Sequence, residues 1–435
     1  MAVDLVIRNA RQLVTLAGPE APRSGAAQGE LAIIPDGAVA VQNGEIVAVG
    51  PTDALMLSQD IDDHTAELDA SGLVVTPGLV DSHTHLVFAG TRAHEYELRA
   101  QGATYAEIME AGGGIHASVR QTRAASLETL VRNAQTHLQR MLAHGTTTVE
   151  AKSGYGLDFD TEVKQLEALE RLSRRHEIDV VPTFMGAHAV PDGEDPDAYV
   201  DWLCKEAIPK VAIRQLARFC DVFCEKGVFT PEQAERILRA AIGQGLQAKI
   251  HADELSDTGG AALAARVGAV SADHLHCANE SGLKAMASRG VIGTLLPGTA
   301  VFLGLSHHAP ARRMVELGVP VALATDFNPG SCYSESLPLM MSFACSLLKL
   351  TPAEALVAST INAAHAVSRA HRVGSLEPGK QADLVLWDAD DYRMIPYHMG
   401  INLVKTVLKR GQAVHRIPWV ASRPASPEGT VTSHA

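Results

Sequence analysis

The apolar runs of this chain change rhythm twice. Up to about residue 76 they are short and separated by turn residues. Leu5-Val6-Ile7 and Leu13-Val14-Thr15-Leu16 read as two strands. Ala38–Val41 and Glu45–Val49 flank Asn43-Gly44, a hairpin signal. Residues 18–30, rich in Gly, Pro, Ala and Ser, read as a surface loop. From 77 to 373 short apolar runs alternate with amphipathic stretches. Eight of these runs read as strands: Leu79–His85, Thr146–Lys152, Val180–His188, Phe219–Glu225, Gln247–Asp253, Ala269–His274, Val291–Leu296 and Val319–Asp326. Between most of them lie helical stretches. Ser126–Ala143 has Ser126 as N-cap, and another helix starts at Thr230-Pro231-Glu232. After 373 strands return, at Ala382–Trp387 and Val404–Leu408. Residues 418–435 read as a loose tail.

Strand–helix alternation implies a parallel sheet, and eight units between 77 and 373 imply a (β/α)8 TIM-like barrel. Segments 1–76 and 374–417 each hold too few strands to be stable alone. They are expected to combine into one small β-sandwich domain, discontinuous in sequence, with the barrel inserted in it. A doubly wound nucleotide fold loses support. No Gly-x-Gly-x-x-Gly follows a first strand and no phosphate-binding loop motif exists. Gly112-Gly113-Gly114 reads as a loop after a helix.

Composition narrows the partners. The chain of 435 residues carries a net charge of -13, which repels phosphate backbones and argues against nucleic acid. An anionic small substrate would need a local cationic anchor. The six cysteines form no Cys-x-x-Cys pair and read as free thiols in a reducing cytoplasm. The start of the chain does not read as a signal peptide. No apolar run is long enough to span a membrane.

Chemistry enters at the strand ends, where a barrel of this type places its active site. The first strand ends in His83 and His85, whose i, i+2 spacing puts both imidazoles on one face. The second ends in Lys152, before Gly154-Tyr155-Gly156. The third ends in His188 and the fourth in Glu225. The fifth carries His251, Asp253 and Glu254, the sixth Asp273 and His274, the eighth Asp326; only the seventh is apolar. Polar groups ending so many apolar strands cost free energy unless paired or metal-bound. Three imidazoles (His83, His85, His251) and one carboxylate (Asp326) suit Zn2+ or Fe2+ better than Mg2+ or Ca2+. Glu254 and His274 stand close enough in sequence to this set to exchange protons with a metal-activated water. Lys152, if carbamylated, would bridge two metals. A bridging group is expected on the fourth strand, however, so one metal per subunit is the expectation.

These motifs resemble the amidohydrolase superfamily, which combines a barrel with a β-sandwich. The similarity spans nearly the whole chain. Its most specific stretches are Gly102–Ile115, Lys152–Leu157 and Asp326–Gly330. The resemblance implies hydrolytic ring opening of 4-imidazolone-5-propanoate to N-formimidoyl-L-glutamate, by water attacking the ring carbonyl. It implies that Arg92, Tyr105, Tyr155, His188 and Glu254 contact the substrate, and that Asn328, Gly330 and Ser331 contact the product. Arg92 would be the cationic anchor, pairing with the propanoate. It further implies a catalytic role for His274 and a homodimer. A deaminase of cyclic amidines would share the metal ligands but would not need Arg92 and Tyr155 as a carboxylate clamp. The loop at 18–30 is longer than the resemblance leads one to expect. His307 and His308 are expected at the surface rather than as ligands.

Overall fold

The computed structural model describes residues 3–103, 107–108 and 112–417; Tyr105 and the tail from 418 lie outside them. The chain begins with β1 (Leu5–Val14), β2 (Ile33–Gln42), β3 (Glu45–Pro51), β4 (Ala66–Asp69) and β5 (Val74–Pro77). Eight strands follow: β6 (Leu79–Asp81), β7 (Thr146–Lys152), β8 (Asp179–Ala187), β9 (Phe219–Cys224), β10 (Gln247–Ala252), β11 (Ser271–His274), β12 (Ile292–Leu295) and β13 (Val321–Leu323). The chain ends in β14 (Leu384–Trp387), β15 (Val404–Lys409) and β16 (Gln412–Arg416).

β6 to β13 pair in chain order, all parallel. Helices cover the outside, so most strand residues are buried on both faces and read as near-continuous apolar runs. The ring closes just past the strand ends. The Asp326 N–H donates to the His83 carbonyl at 3.0 Å, and the His85 N–H donates to that of Phe327 at 2.9 Å. Asp81 secures the seam, accepting from the Thr325 amide (3.0 Å) and hydroxyl (2.6 Å). Closure therefore sets His83 and His85 beside Asp326, residues more than two hundred positions apart in the chain.

The remaining strands form one mixed sheet, ordered β16-β15-β14-β5-β1-β2-β3, with β4 on β1. β5 is the seam between the two ends of the chain, parallel to β1 and antiparallel to β14. Trp387, fully buried, donates its indole N–H to the Thr76 hydroxyl at 2.9 Å across that seam. The hairpin at Asn43-Gly44 has positive φ at both residues (51° and 79°), the geometry of a tight turn matched to strand twist. The helix N-caps form as expected. Ser126 accepts from the Thr129 amide, and Thr230 makes a full capping box with Gln233.

Three local expectations need revision. The two strands expected at 5–7 and 13–16 are one strand, because a bulge at Asn9 (φ 60°) carries the pairing through. A further strand, β16, follows the Arg410-Gly411 turn; its alternating Gln-Ala-Val-His-Arg pattern is too short and polar to stand out. Residues 18–30 are not simply a surface loop. Gly25–Gly29 form a short helix, and Arg23 and Gln28 are buried. The Arg23 amide donates to Asn362 Oδ1 at 2.8 Å. Gln28 Oε1 accepts from the Val321 N–H (3.1 Å) and Gln28 Nε2 donates to the Val321 carbonyl (3.4 Å). The loop thus satisfies the backbone at the start of β13, and its polarity serves buried partners rather than water.

Gln28→Ala removes the side-chain partner of the buried Val321 N–H, while the Val321 carbonyl keeps its hydrogen bond from Asn362 Nδ2 at 2.9 Å. The substitution should destabilise the fold by about 1–3 kcal/mol in equilibrium denaturation. A change inside about 0.5 kcal/mol, typical of a surface substitution, would show that the loop carries no such role.

Candidate metal centre and its pocket

The strand ends deliver their side chains into one cluster. The side-chain ligand atoms of His83, His85 and His251 all lie within 4.8 Å of one another. Those of His83, His274 and Asp326 form an overlapping group. His83 Nε2 and His85 Nε2 face Asp326 Oδ1 at 3.4 and 3.6 Å, and His251 Nε2 stands 3.3 Å from His85 Nε2. All four residues are buried.

The other ring nitrogens explain these contacts. His83 Nδ1 lies 2.6 Å from Asp273 Oδ2, and His251 Nδ1 lies 3.0 Å from Asp221 Oδ1. A carboxylate partner keeps the proton on Nδ1 and leaves Nε2 with a bare lone pair. Burial, reinforced by Lys152, holds the His83 imidazole well below its ordinary pKa, so it is neutral. Burial and His188 do the same to His85. His83 Nε2 and Asp326 Oδ1 have no hydrogen-bond partner despite their burial. Burial pushes the Asp326 carboxyl up to about 6. The inward Nε2 lone pairs of His83 and His251, with His85 Nε2 beside them and a desolvated carboxylate next to the set, fit a divalent cation of the zinc or ferrous type.

Lys152 anchors the two orienting carboxylates. Its Nζ lies 2.8 Å from Asp221 Oδ2, 2.8 Å from Glu150 Oε1 and 3.9 Å from Asp273 Oδ2. Burial works against its charge, but Asp221, Glu150 and Asp273 outweigh it and hold the pKa above the ordinary lysine value. The ammonium is therefore an ion-pair partner inside the barrel. Glu225, the polar end of β9, also points elsewhere. It accepts from the Leu255 amide (2.9 Å) and from the Ser256 hydroxyl, and so shapes the loop after β10.

The cluster forms the floor of a cavity of about 580 Å³. Arg92, Tyr155, His188, Glu254, Asn328 and Ser331 are among the residues lining it. His188 stacks on His85 with ring centroids 4.7 Å apart, and its Nδ1 lies 3.0 Å from the Gly154 carbonyl. Burial, with His251 close by, pushes its pKa down to about 3. His274 Nδ1 lies 3.6 Å from Glu254 Oε1. Burial, then the charges of Asp326 and Glu225, raise the Glu254 carboxyl well above its ordinary value. Burial and His251 keep His274 neutral.

On the far wall Arg92 is held rather than free. Glu95 Oε2 accepts from Arg92 Nε (2.9 Å) and Nη2 (2.8 Å), while Glu95 Oε1 accepts from the Gly114 amide at 3.0 Å. A Cβ at residue 330 would come within 2.0 Å of Arg92 Nη1, so only glycine lets the guanidinium lie there. Asn328 shapes the same loop, accepting from the Gly330 and Ser331 amides at 2.7 and 2.8 Å. His307 is exposed, with its Nε2 3.5 Å from Cys277 Sγ, and neither it nor His308 joins the ligand groups.

Several contributors escaped the sequence reading. Asp273 was visible as a strand end without an assigned task. Asp221 sits inside the run Phe-Cys-Asp-Val-Phe-Cys, and a lone acid within a buried strand was the available signal. Glu95 and Arg99, whose Nη2 donates to the Gly330 carbonyl at 3.1 Å, lie on a helix with an ordinary charged pattern. Thr299, whose hydroxyl donates to Asp326 Oδ2 at 2.7 Å, has no sequence signature.

A profile of the amidohydrolase family matches residues 74–414. The imidazolonepropionase of Geobacillus kaustophilus (strain HTA426) is 56% identical over 416 residues, covering 94% of this chain and 97% of that protein. The imidazolonepropionase of Brevibacillus brevis is 54% identical over 418 residues, covering 95% and 98%. Among solved structures, an adenosine deaminase from Xanthomonas campestris with bound zinc superposes with a TM-score of 0.70 at 21% identity, covering 95% and 93%. E. coli guanine deaminase does so with 0.71 at 15%, covering 95% and 99%. These two establish shared architecture alone. The curated relatives, alike over nearly their whole length, place the chain more narrowly: it belongs to the amidohydrolase family and, within it, to the imidazolonepropionases.

Proposed function

We propose that the protein opens the ring of 4-imidazolone-5-propanoate by hydrolysis, giving N-formimidoyl-L-glutamate in L-histidine degradation. It does so as a cytoplasmic homodimer with one divalent cation per subunit, Zn2+ or Fe2+. The observation that carries this reading is a cation-ready donor set and a fixed guanidinium in one cavity. His83, His85, His251 and Asp326 would hold the cation. When bound, it would polarise the ring carbonyl and lower the pKa of the attacking water.

The rest is work for side chains. Arg92, braced by Glu95, offers its guanidinium to the propanoate. A braced guanidinium loses little rotamer freedom on binding, which favours substrate capture. Tyr155 and His188 flank the ring, and the buried His188 stays neutral and places no charge against it. Glu254, with its raised proton affinity, takes the proton of the attacking water. It or His274, its neighbour, returns a proton to the leaving ring nitrogen. Hydrolysis turns the ring carbonyl into a second carboxylate, and the Asn328–Ser331 loop would receive that more polar product. All of this lies under buried walls, where each charge is screened less than in water.

Purified protein should hydrolyse imidazolonepropanoate. Arg92→Ala should raise KM at least about tenfold, the loss of one charge-assisted pair, with metal content unchanged. Turnover of cytosine or guanine with none of imidazolonepropanoate would overturn the assignment. Glu254→Gln should keep the metal but lower kcat by about 10²–10⁴-fold, the range for a general acid–base; a near-normal kcat would remove Glu254 from proton transfer. Asp273→Asn should weaken metal binding by roughly 10–100-fold, as other orienting carboxylates do. Chelator competition measures this, and unaltered affinity would show that Asp273 does not set the His83 tautomer.

A further inference from the structure

A second concave site lies at the opposite, N-terminal end of the barrel strands, and the hydrolytic chemistry makes no use of it. There Thr148, early in β7, and Asp179, at the start of β8, face the segment that follows the barrel. A cavity of about 250 Å³ opens between them, and Arg369, Arg372 and Arg410 line it. A neighbouring cavity shares Arg369 and adds Arg218.

Four guanidiniums gathered on one face are unexpected in a chain with a net charge of -13. The one carboxylate in the wall does not balance them. Asp179 already accepts from Lys409 Nζ at 2.8 Å, Gln381 Nε2 at 2.9 Å and Arg410 Nη2 at 3.1 Å. Arg372 spends one bond on Gln381 Oε1, at 3.2 Å. No acceptor among the described residues takes a hydrogen bond from the Arg369 side chain. The Arg218 Nε is buried without a partner. A further observation comes from the sheet itself. Thr148 is 1% exposed, lines the same cavity, and its hydroxyl has no hydrogen-bond partner.

Like charges held together, with buried donors unspent, are stabilised by an anion that accepts from all of them. The donors come from several directions: two planar guanidinium forks from the segment after the barrel, one from the β15–β16 turn, and a hydroxyl from the strand beneath. That arrangement suits a tetrahedral head with three terminal oxygens better than a planar carboxylate. We infer that this cavity binds a small phosphate-bearing anion, at a site separate from the metal centre. Its volume holds a phosphoryl group with a small body attached, and the groove past Arg369 toward Arg218 gives that body room. Thr148 and Lys152 belong to one strand, so an occupant here would brace the strand that also carries the central ammonium.

Isothermal titration of the metal-loaded full-length protein with inorganic phosphate, at constant ionic strength set by chloride, tests the site. Wild type should bind saturably. The double variant Arg369→Ala/Arg372→Ala should bind at least tenfold more weakly, with metal content and imidazolonepropanoate turnover unchanged. Thr148→Val, which keeps the shape of the strand residue and removes only the hydroxyl, should weaken binding severalfold. It carries the test alone should the double variant fail to fold. Three results would overturn the inference: no saturable phosphate binding by wild type, binding by both variants equal to wild type, or a change of oligomeric state in the variants with phosphate without effect. The second would make phosphate adventitious or bound at the metal. The last would make this face an interface between copies of the chain. None of these results bears on the hydrolytic assignment, which rests on turnover alone.

Discussion

Lys152 is buried at the heart of the barrel with three carboxylates around it, and the metal centre depends on that arrangement. Its ammonium holds Asp221 closely and Asp273 more distantly. Asp221 holds the Nδ1 side of His251, and Asp273 that of His83. One cation thus fixes two acceptors, and these fix which nitrogen of each imidazole carries the proton. The arrangement is costly to disturb. Removing one partner of a buried pair leaves an uncompensated charge, at about 3–5 kcal/mol. The same cost is what keeps the lone pairs of the imidazoles turned toward a common point.

Much of this was legible in the sequence because strands in a parallel barrel are apolar until they end. Eight apolar runs marked the strands, and polar residues closing seven of them marked the face where chemistry sits. His83, His85, His251 and Asp326 came from that pattern, and the fold brings them together. The orienting carboxylates were harder to see because they work from inside strands. Asp221 lies within the apolar run of β9 rather than at its end, so the strand-end pattern does not reach it. Glu225, at the end of the same strand, looked more promising and instead pins a neighbouring loop. The 18–30 loop misled for a related reason. Its composition is that of an exposed turn, yet its polar atoms serve the buried backbone of Val321. Composition reports the chemistry of a side chain and not the partner it finds.

A net acidic chain and the proposed anionic substrate would be compatible once charge is considered locally. A protein of net charge -13 slows the approach of anions in general. On the proposed reading, the guanidinium held inside the pocket would recover affinity for the intended one, and its pairing with Glu95 holds Arg92 in place. Gly330 belongs to the same device, since any side chain there would displace the guanidinium. On the proposed reading, specificity would rest on the loops that carry Arg92, Tyr155, His188 and Gly330 around the pocket.

On the proposed reading, four converging donors hold a single activating cation. The most direct measurement is a titration of zinc into chelator-stripped protein while following imidazolonepropanoate hydrolysis. Activity should rise linearly and break at one equivalent per chain. A break at two equivalents, or full activity in the stripped protein, would show that the four donors do not hold a single activating cation.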